Sequence, residues 1–201
     1  MKALIILLVL TLMNTNAYAA KKGNFYDELD PRSPDIEKTL KEMNEDYEAT
    51  TGKSAYLDML DPLEALFPTC YRNACKIWAD VDKSAQRLYL YVDGALTYTW
   101  KTSTGRAGYT TPDMDQHPNG PIYDRYTSTK YPDGDYNGLG NMPYAVFVRG
   151  GYAIHGTTRG NWGKLGQVAS HGCIRVHPDN GQIFNQLVRK NGLRNIWVTV
   201  N

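Results

Sequence analysis

The sequence predicts a mainly β domain preceded by a helical extension. Three observations carry this. From Lys76 onward, runs of β-branched and aromatic residues cluster or alternate; Asp93-Gly94 between two such runs is a strong hairpin turn; and ahead of them an acidic stretch places its apolar residues at helical spacing.

At the N-terminus, Met1-Lys2-Ala3, an apolar run over residues 4–13 and the pattern Ala17-Tyr18-Ala19 have the order of a secretory signal peptide, with cleavage expected after Ala19. The run is short of the roughly 20 residues that cross a bilayer as a helix, and no later segment is apolar enough to do so. The mature chain is therefore expected to be exported, to the periplasm or the medium, with no transmembrane segment.

About 180 residues then remain, enough for one domain with a core and a small extension. Ser33-Pro34-Asp35 supplies an N-cap, a proline for the first turn and an acid. Ile36, Leu40, Met43 and Tyr47 follow on one helical face. A helix is predicted over 34–49, ended by Thr50-Thr51-Gly52, and a second helical piece over 54–66. Neither carries a constellation that suggests chemistry. Residues 20–74 therefore read as an accessory extension, packed on the domain or, through 21–65, on an envelope protein partner.

Over 75–201 the predicted strands are 76–81, 87–92 and 95–103, followed by a long Gly-, Pro-, Asp-, Asn- and Tyr-rich loop region with short strands near Ile122 and Tyr126. A second hairpin, 144–149 and 152–155, turns at Gly150-Gly151 and ends on His155. A loop over 156–170, a helix over 179–190 and a closing strand over 195–200 complete the domain.

Charge is unevenly placed. Residues 21–65 carry 6 Lys/Arg against 12 Asp/Glu, a net of −6, whereas 66–201 carry 15 against 9, a net of +6. A basic domain suits an anionic polymer, and an acidic cap complementing it accounts for the same counts. Export disfavours nucleic acid.

Of the three cysteines, Cys70 and Cys75 flank Tyr71-Arg72-Asn73-Ala74, a loop that a disulfide can close, which leaves Cys173 over. An odd cysteine in an exported protein implies an intermolecular partner or a reactive thiol, and the surroundings of Cys173 favour the thiol.

Those surroundings are His155-Gly156, a fourteen-residue span over 156–169, and then Ser170-His171-Gly172-Cys173-Ile174-Arg175-Val176. A thiol becomes a nucleophile when a nearby imidazole takes its proton. A histidine at a strand end and a cysteine after a glycine turn can meet across a loop. Gly172 removes bulk beside the thiol, so amides around Gly172 and Cys173 can approach a developing oxyanion. The chemistry this pattern points to is acyl transfer.

The block resembles the signature of the L,D-transpeptidase (YkuD-like) catalytic domain: a histidine, about fourteen residues, then Ser/Thr-His-Gly-Cys, an apolar residue and Arg or Asn. Ser103-Thr104-Gly105-Arg106, Thr111-Pro112 and Met142-Pro143-Tyr144 also resemble that domain, so the likeness covers roughly 75–200. The resemblance implies a sandwich- or barrel-like β domain with no metal or organic cofactor, acting on peptidoglycan tetrapeptide stems. Cys173 would be the nucleophile and His155 its base, oriented by the Gly156 carbonyl, with His171 sharing in proton handling. Arg175 would support the site or a substrate carboxylate, and Ser170 would orient the loop. Tyr144, Tyr152 and Trp162 are candidates to line a substrate groove. The acceptor stays open: an amine gives a 3-3 cross-link, water an L,D-carboxypeptidase, and a protein amine an anchored envelope protein.

Other classes fit less well. His155, His171, Cys173 and His177 are zinc-ligand types, but no conventional ligand spacing appears. Papain-like enzymes place cysteine before histidine, the reverse of the order here. Sortases share the order but differ around the cysteine. A wall-binding module without activity would have no need of both His155 and Cys173. His117 and His177 read as surface or structural histidines.

Overall fold

The structure, a computed structural model, describes residues 33–52, 54–55, 70–128, 131 and 134–201. The expected signal peptide, and all but the first two residues of the helical piece expected over 54–66, lie outside the described residues.

Helix α1 spans Ile36–Thr51. Asp35 is its N-cap and makes no side-chain cap; Ser33 Oγ accepts from the Asp35 amide at 3.3 Å, so the helix begins two residues later than the Ser-Pro-Asp pattern predicts. Gly52 ends it in the left-handed conformation, its amide bonded to Glu48 O.

Eight strands follow: β1 (Ile77–Asp82), β2 (Arg87–Val92), β3 (Ala95–Lys101), β4 (Met114–Gln116), β5 (Val146–Arg149), β6 (Tyr152–Gly156), β7 (Ile174–Val176) and β8 (Ile196–Val200), with helix α2 (Pro178–Asn191) between β7 and β8. One sheet has the order β3-β2-β1-β8-β4 and the other β5-β6-β7. β1–β8 and β6–β7 pair in parallel, the remaining neighbours antiparallel. The domain is thus mainly β and sandwich-like.

The main core lies between the sheets and α2. Ile77, Ala79 and Val81 of β1 alternate inward and meet Ile154, Ile174 and Val176 of the second sheet and Phe184 and Val188 of α2. α2 carries Pro178 in its first turn and Arg189 and Lys190 in its last, where they complement the helix dipole.

A second cluster lies on the other side of β5 and β6. Ile36 and Leu40 of α1, with Met43 and Tyr47 partly buried, pack on Tyr123, Tyr126, Phe147 and Ala153, and the cluster reaches Cys173. Leu40 is 1% exposed, a burial that contributes about 2 kcal/mol. The α1 face predicted from spacing is the face that packs, and it covers part of the sheet face that carries the motif.

The structure corrects four local expectations. The strand expected over 95–103 ends at Lys101, and Ser103 makes a lone bridge to Arg175. Ile122 makes a lone bridge to Val146, and Tyr126 joins no strand because its amide bonds to Leu139 O across the loop. β4 and β7 were unforeseen, being three residues each, too short to show a period.

Candidate active site

β6 and β7 run parallel, with His155 opposite Arg175 and Ile154 opposite Ile174. Side chains alternate along a strand, so His155 and Arg175 share one face of the sheet. Cys173, two residues before Arg175, opens on the same side, and all three line one cleft. Ser103, paired to Arg175 from the other side, completes a row of Ser103, Arg175 and His155 across three chain segments.

His155 is 3% exposed. Its Nδ1 lies 2.6 Å from Gly156 O, and a carbonyl only accepts, so Nδ1 carries the proton and Nε2 is the lone-pair nitrogen. Burial first, then the positive charge of Arg175, push its pKa down to about 3, against the opposing pull of the Gly156 carbonyl. The ring is therefore neutral at physiological pH and able to accept a proton. Gly156 has no room for a side chain: a Cβ there would come within 2.8 Å of Pro178 Cα and 3.0 Å of Pro143 Cγ. Its amide also bonds to Pro143 O at 2.8 Å, so α2 and the 143 loop clamp the carbonyl that orients His155.

The turn before the thiol is held from within. Ser170, fully buried, donates through Oγ to Cys173 O at 2.6 Å and accepts from the Gly172 amide at 3.1 Å. The Gly172 amide, expected to face an oxyanion, is thus committed to Ser170. Gly172 sits at φ +115°, where a side chain is strained, and its carbonyl accepts from Thr111 Oγ1 at 2.7 Å. Thr111 also accepts from the Gly105 amide at 2.9 Å, tying the 103–111 loop to the thiol turn. Cys173 is half-buried, with Sγ 3.4 Å from Gly151 O. His171 stacks on Tyr131 at 3.8 Å and meets the Tyr109 ring edge-on at 5.1 Å.

Charge in the cleft is one-sided. Arg106, Lys164 and Arg175 line it with His155 and His171, and among the described residues no Asp or Glu does. Burial lowers the pKa of the Arg175 guanidinium, attraction to the Cys173 sulfur opposes this, and repulsion from Arg106 adds to it. A half-buried guanidinium stays charged, so the shift measures the cost of holding it there.

Three residues expected to line a substrate groove lie elsewhere. Tyr152 is one residue out of phase with His155, so strand alternation turns it toward the main core, where its ring backs Gly172. Tyr144, at φ +59°, is set among Tyr136, Asp124 and Asp179, where burial raises its pKa. Trp162 belongs to a 3-10 turn, Arg159–Lys164, in which residues three apart share a side. Asn161 and Lys164 face the cleft together, whereas Trp162 pairs with Arg159 and faces a second groove with His177. Arg106 and Thr111, from the 103–111 loop, gather at the site with Asn141 and Lys164 from two other segments, and no local pattern in the sequence joins the three segments.

Cys70 and Cys75 form a disulfide at the entry to β1. His117 bonds to Ile196 O, and the His177 ring accepts from the Asp179 amide at the start of α2. Among the described residues no group of three His, Cys, Asp or Glu side chains gathers to hold a metal, and no helix is long and apolar enough to cross a membrane.

Residues 76–198 match the sequence profile of the YkuD L,D-transpeptidase catalytic domain. In structure the chain is similar to an L,D-transpeptidase from Stackebrandtia nassauensis, at 22% identity and a TM-score of 0.50 over 69% of this chain and 61% of that one. It is also similar to an L,D-transpeptidase from Mycobacterium smegmatis, at 20% identity and a TM-score of 0.49 over 64% and 59%. The chain thus spans about three fifths of the length of these solved proteins. No curated protein matches it. The profile covers more than half of the chain, and by it the chain belongs to the L,D-transpeptidase catalytic domain family.

Proposed function

We propose that this chain is an exported cysteine acyltransferase that acts on peptidoglycan tetrapeptide stems and forms 3-3 cross-links. The observation that carries the reading is the shared face of β6 and β7. A neutral imidazole, locked by Gly156 O so that Nε2 is its accepting nitrogen, opens with the Cys173 thiol and a guanidinium into one cleft.

The reaction balances with these groups alone. His155 Nε2 takes the Cys173 proton, and the thiolate attacks the carbonyl carbon of the third stem residue, with Arg175 nearby to offset negative charge. The tetrahedral intermediate collapses with cleavage of the C–N bond. The leaving amine takes the proton from His155, and D-alanine departs, leaving a thioester on Cys173. An amine from a neighbouring stem attacks the thioester and gives its proton to His155. The new amide forms, and the thiolate leaves and is reprotonated. Water as the second nucleophile gives hydrolysis by the same steps. Ser170 holds the thiol turn, and His171, stacked on Tyr131, lines the approach to it.

The test is mass spectrometry of purified disaccharide tetrapeptide incubated with the protein or with Cys173→Ala. Loss of one alanine with a new 3-3 dimer, absent in the variant, is expected. Alanine loss without dimer makes the protein a carboxypeptidase, and loss that persists in the variant removes Cys173 from the chemistry.

A further inference from the structure

Among the described residues, the charged side chains that line the cleft are all cationic. Arg175 is offset by the Cys173 sulfur, but Arg106 repels Arg175, and among the described residues no carboxylate forms an ion pair with Arg106, Lys164 or Arg175. Cations gathered in a cleft without a protein counter-charge are costly unless a ligand supplies the anion.

Arg106 is also held in place. Its amide donates to Ser170 O at 3.0 Å, Tyr109 N bonds back to Arg106 O at 2.8 Å, and its guanidinium lies 5.1 Å over the Tyr109 ring. Gly105 before it admits no side chain, because a Cβ would fall 1.7 Å from Tyr109 O. Ser170 is the residue whose hydroxyl pins Cys173 O, so Arg106 is fixed relative to the thiol through one short chain of hydrogen bonds. Lys164 lines the same cleft, its ammonium bonded to Asn161 Oδ1 at 3.2 Å.

We infer that Arg106, with Lys164, docks the terminal carboxylate of the stem residue that leaves, and so restricts cleavage to the last peptide bond. The inference rests on the proposed action on stem peptides. A terminal carboxylate lies one residue beyond the attacked carbonyl, about 3.8 Å along the chain, so a thiol and its neighbouring cations in one cleft can engage both. A guanidinium fork matches a carboxylate with two hydrogen bonds, whereas an amide in its place removes the charge and an acceptor.

The experiment measures binding rather than turnover, by calorimetry on Cys173→Ala, with the tetrapeptide stem as free acid and as C-terminal amide. The acid is expected to bind at least about tenfold tighter than the amide, the lower end for a charge-assisted pair. Adding Arg106→Gln should weaken the acid alone, and adding Lys164→Gln with it should bring the two ligands to equal affinity. Arg106→Lys should restore part of the preference, with unchanged melting confirming that both variants fold. Equal binding of acid and amide, a preference untouched by Arg106→Gln or surviving both substitutions, or no binding of either ligand overturns the inference. Turnover by the native protein separates the two ideas. Arg106-dependent binding without turnover would sink the proposed reaction and keep this site, and turnover without acid preference would do the reverse.

Discussion

Cys173 and Ile174 are neighbours in the chain, yet Ile174 is fully buried in the main core while Cys173 opens on the cleft. The same split runs along β6, where Ile154 faces the core and His155 the cleft. One face of the β5–β6–β7 sheet is apolar and joins it to the larger sheet and α2. The other carries an imidazole, a thiol and a guanidinium. A single residue of register separates what holds the sheet from what it presents, so the rigidity of the core is transmitted directly to the geometry of the site.

Substitutions on the two faces should therefore fail in different ways. The largest effect is expected from Cys173→Ala, which should lower acyl transfer at least about 10⁴-fold while shifting thermal melting by only a few degrees. A collapse of stability in that variant would erase the distinction between the faces. Ile174→Ala, one residue on, should cost about 2–5 kcal/mol in urea denaturation through the cavity it leaves. An unchanged midpoint would mean that the core face does not hold the sheet.

A buried, neutral His155 ties the cleft face to pH. Its pKa in the folded protein, about 3, lies below its unfolded value near 6.5, so below that value the unfolded chain takes up a proton that the folded protein refuses. The stabilisation is whole above about pH 6.5 and is lost as pH falls toward 3, at up to about 1.4 kcal/mol per unit. Melting followed from pH 6.5 to 4.5 should show this fall in the native protein and a flatter profile in His155→Gln. Arg175→Gln removes one of the two causes of the depression, so the His155 ring should titrate higher by NMR. A His155 that already titrates near 6.5 would contradict its burial.

Effects away from both faces should be smaller. Replacing Cys70 and Cys75 by serine opens a short loop and should cost about 2 kcal/mol while leaving the rate of alanine release alone. Unchanged melting would show that the bridge contributes nothing. Ser170→Ala leaves the Gly172 amide and the Cys173 carbonyl without their shared partner and should cost about 1–2 kcal/mol. It should also lower turnover, because the thiol turn loosens. Lost stability with intact turnover would show that the turn needs no such staple.

The elements with a strong period were legible. The α1 face of Ile36, Leu40, Met43 and Tyr47, the Asp93-Gly94 hairpin and α2, expected over 179–190 and found over Pro178–Asn191, each follow from local spacing or turn chemistry. β7 was not legible, because three residues cannot show a period, and without β7 the face of Arg175 could not be assigned. Tyr152 was assigned to the groove because its chemistry suits one, but alternation from His155 turns it to the other side. Trp162 was misplaced for a similar reason: the three-residue repeat of a 3-10 turn does not show in a glycine-rich loop.

By itself the sequence determined which reactive groups are on offer, because a histidine, a spaced glycine turn and a cysteine are covalent facts that folding cannot change. It also determined the helical face of α1 and the strands β1, β2, β3 and β8 of the larger sheet, where burial imposes a period on the chain. Only the tertiary structure decided the tautomer of His155, the commitment of the Gly172 amide to Ser170 and the packing of α1 on the thiol-bearing face of the sheet. It alone brought Arg106 and Lys164 into one cleft. These depend on hydrogen bonds and contacts between segments tens of residues apart, whose partners carry no mark of one another in the chain.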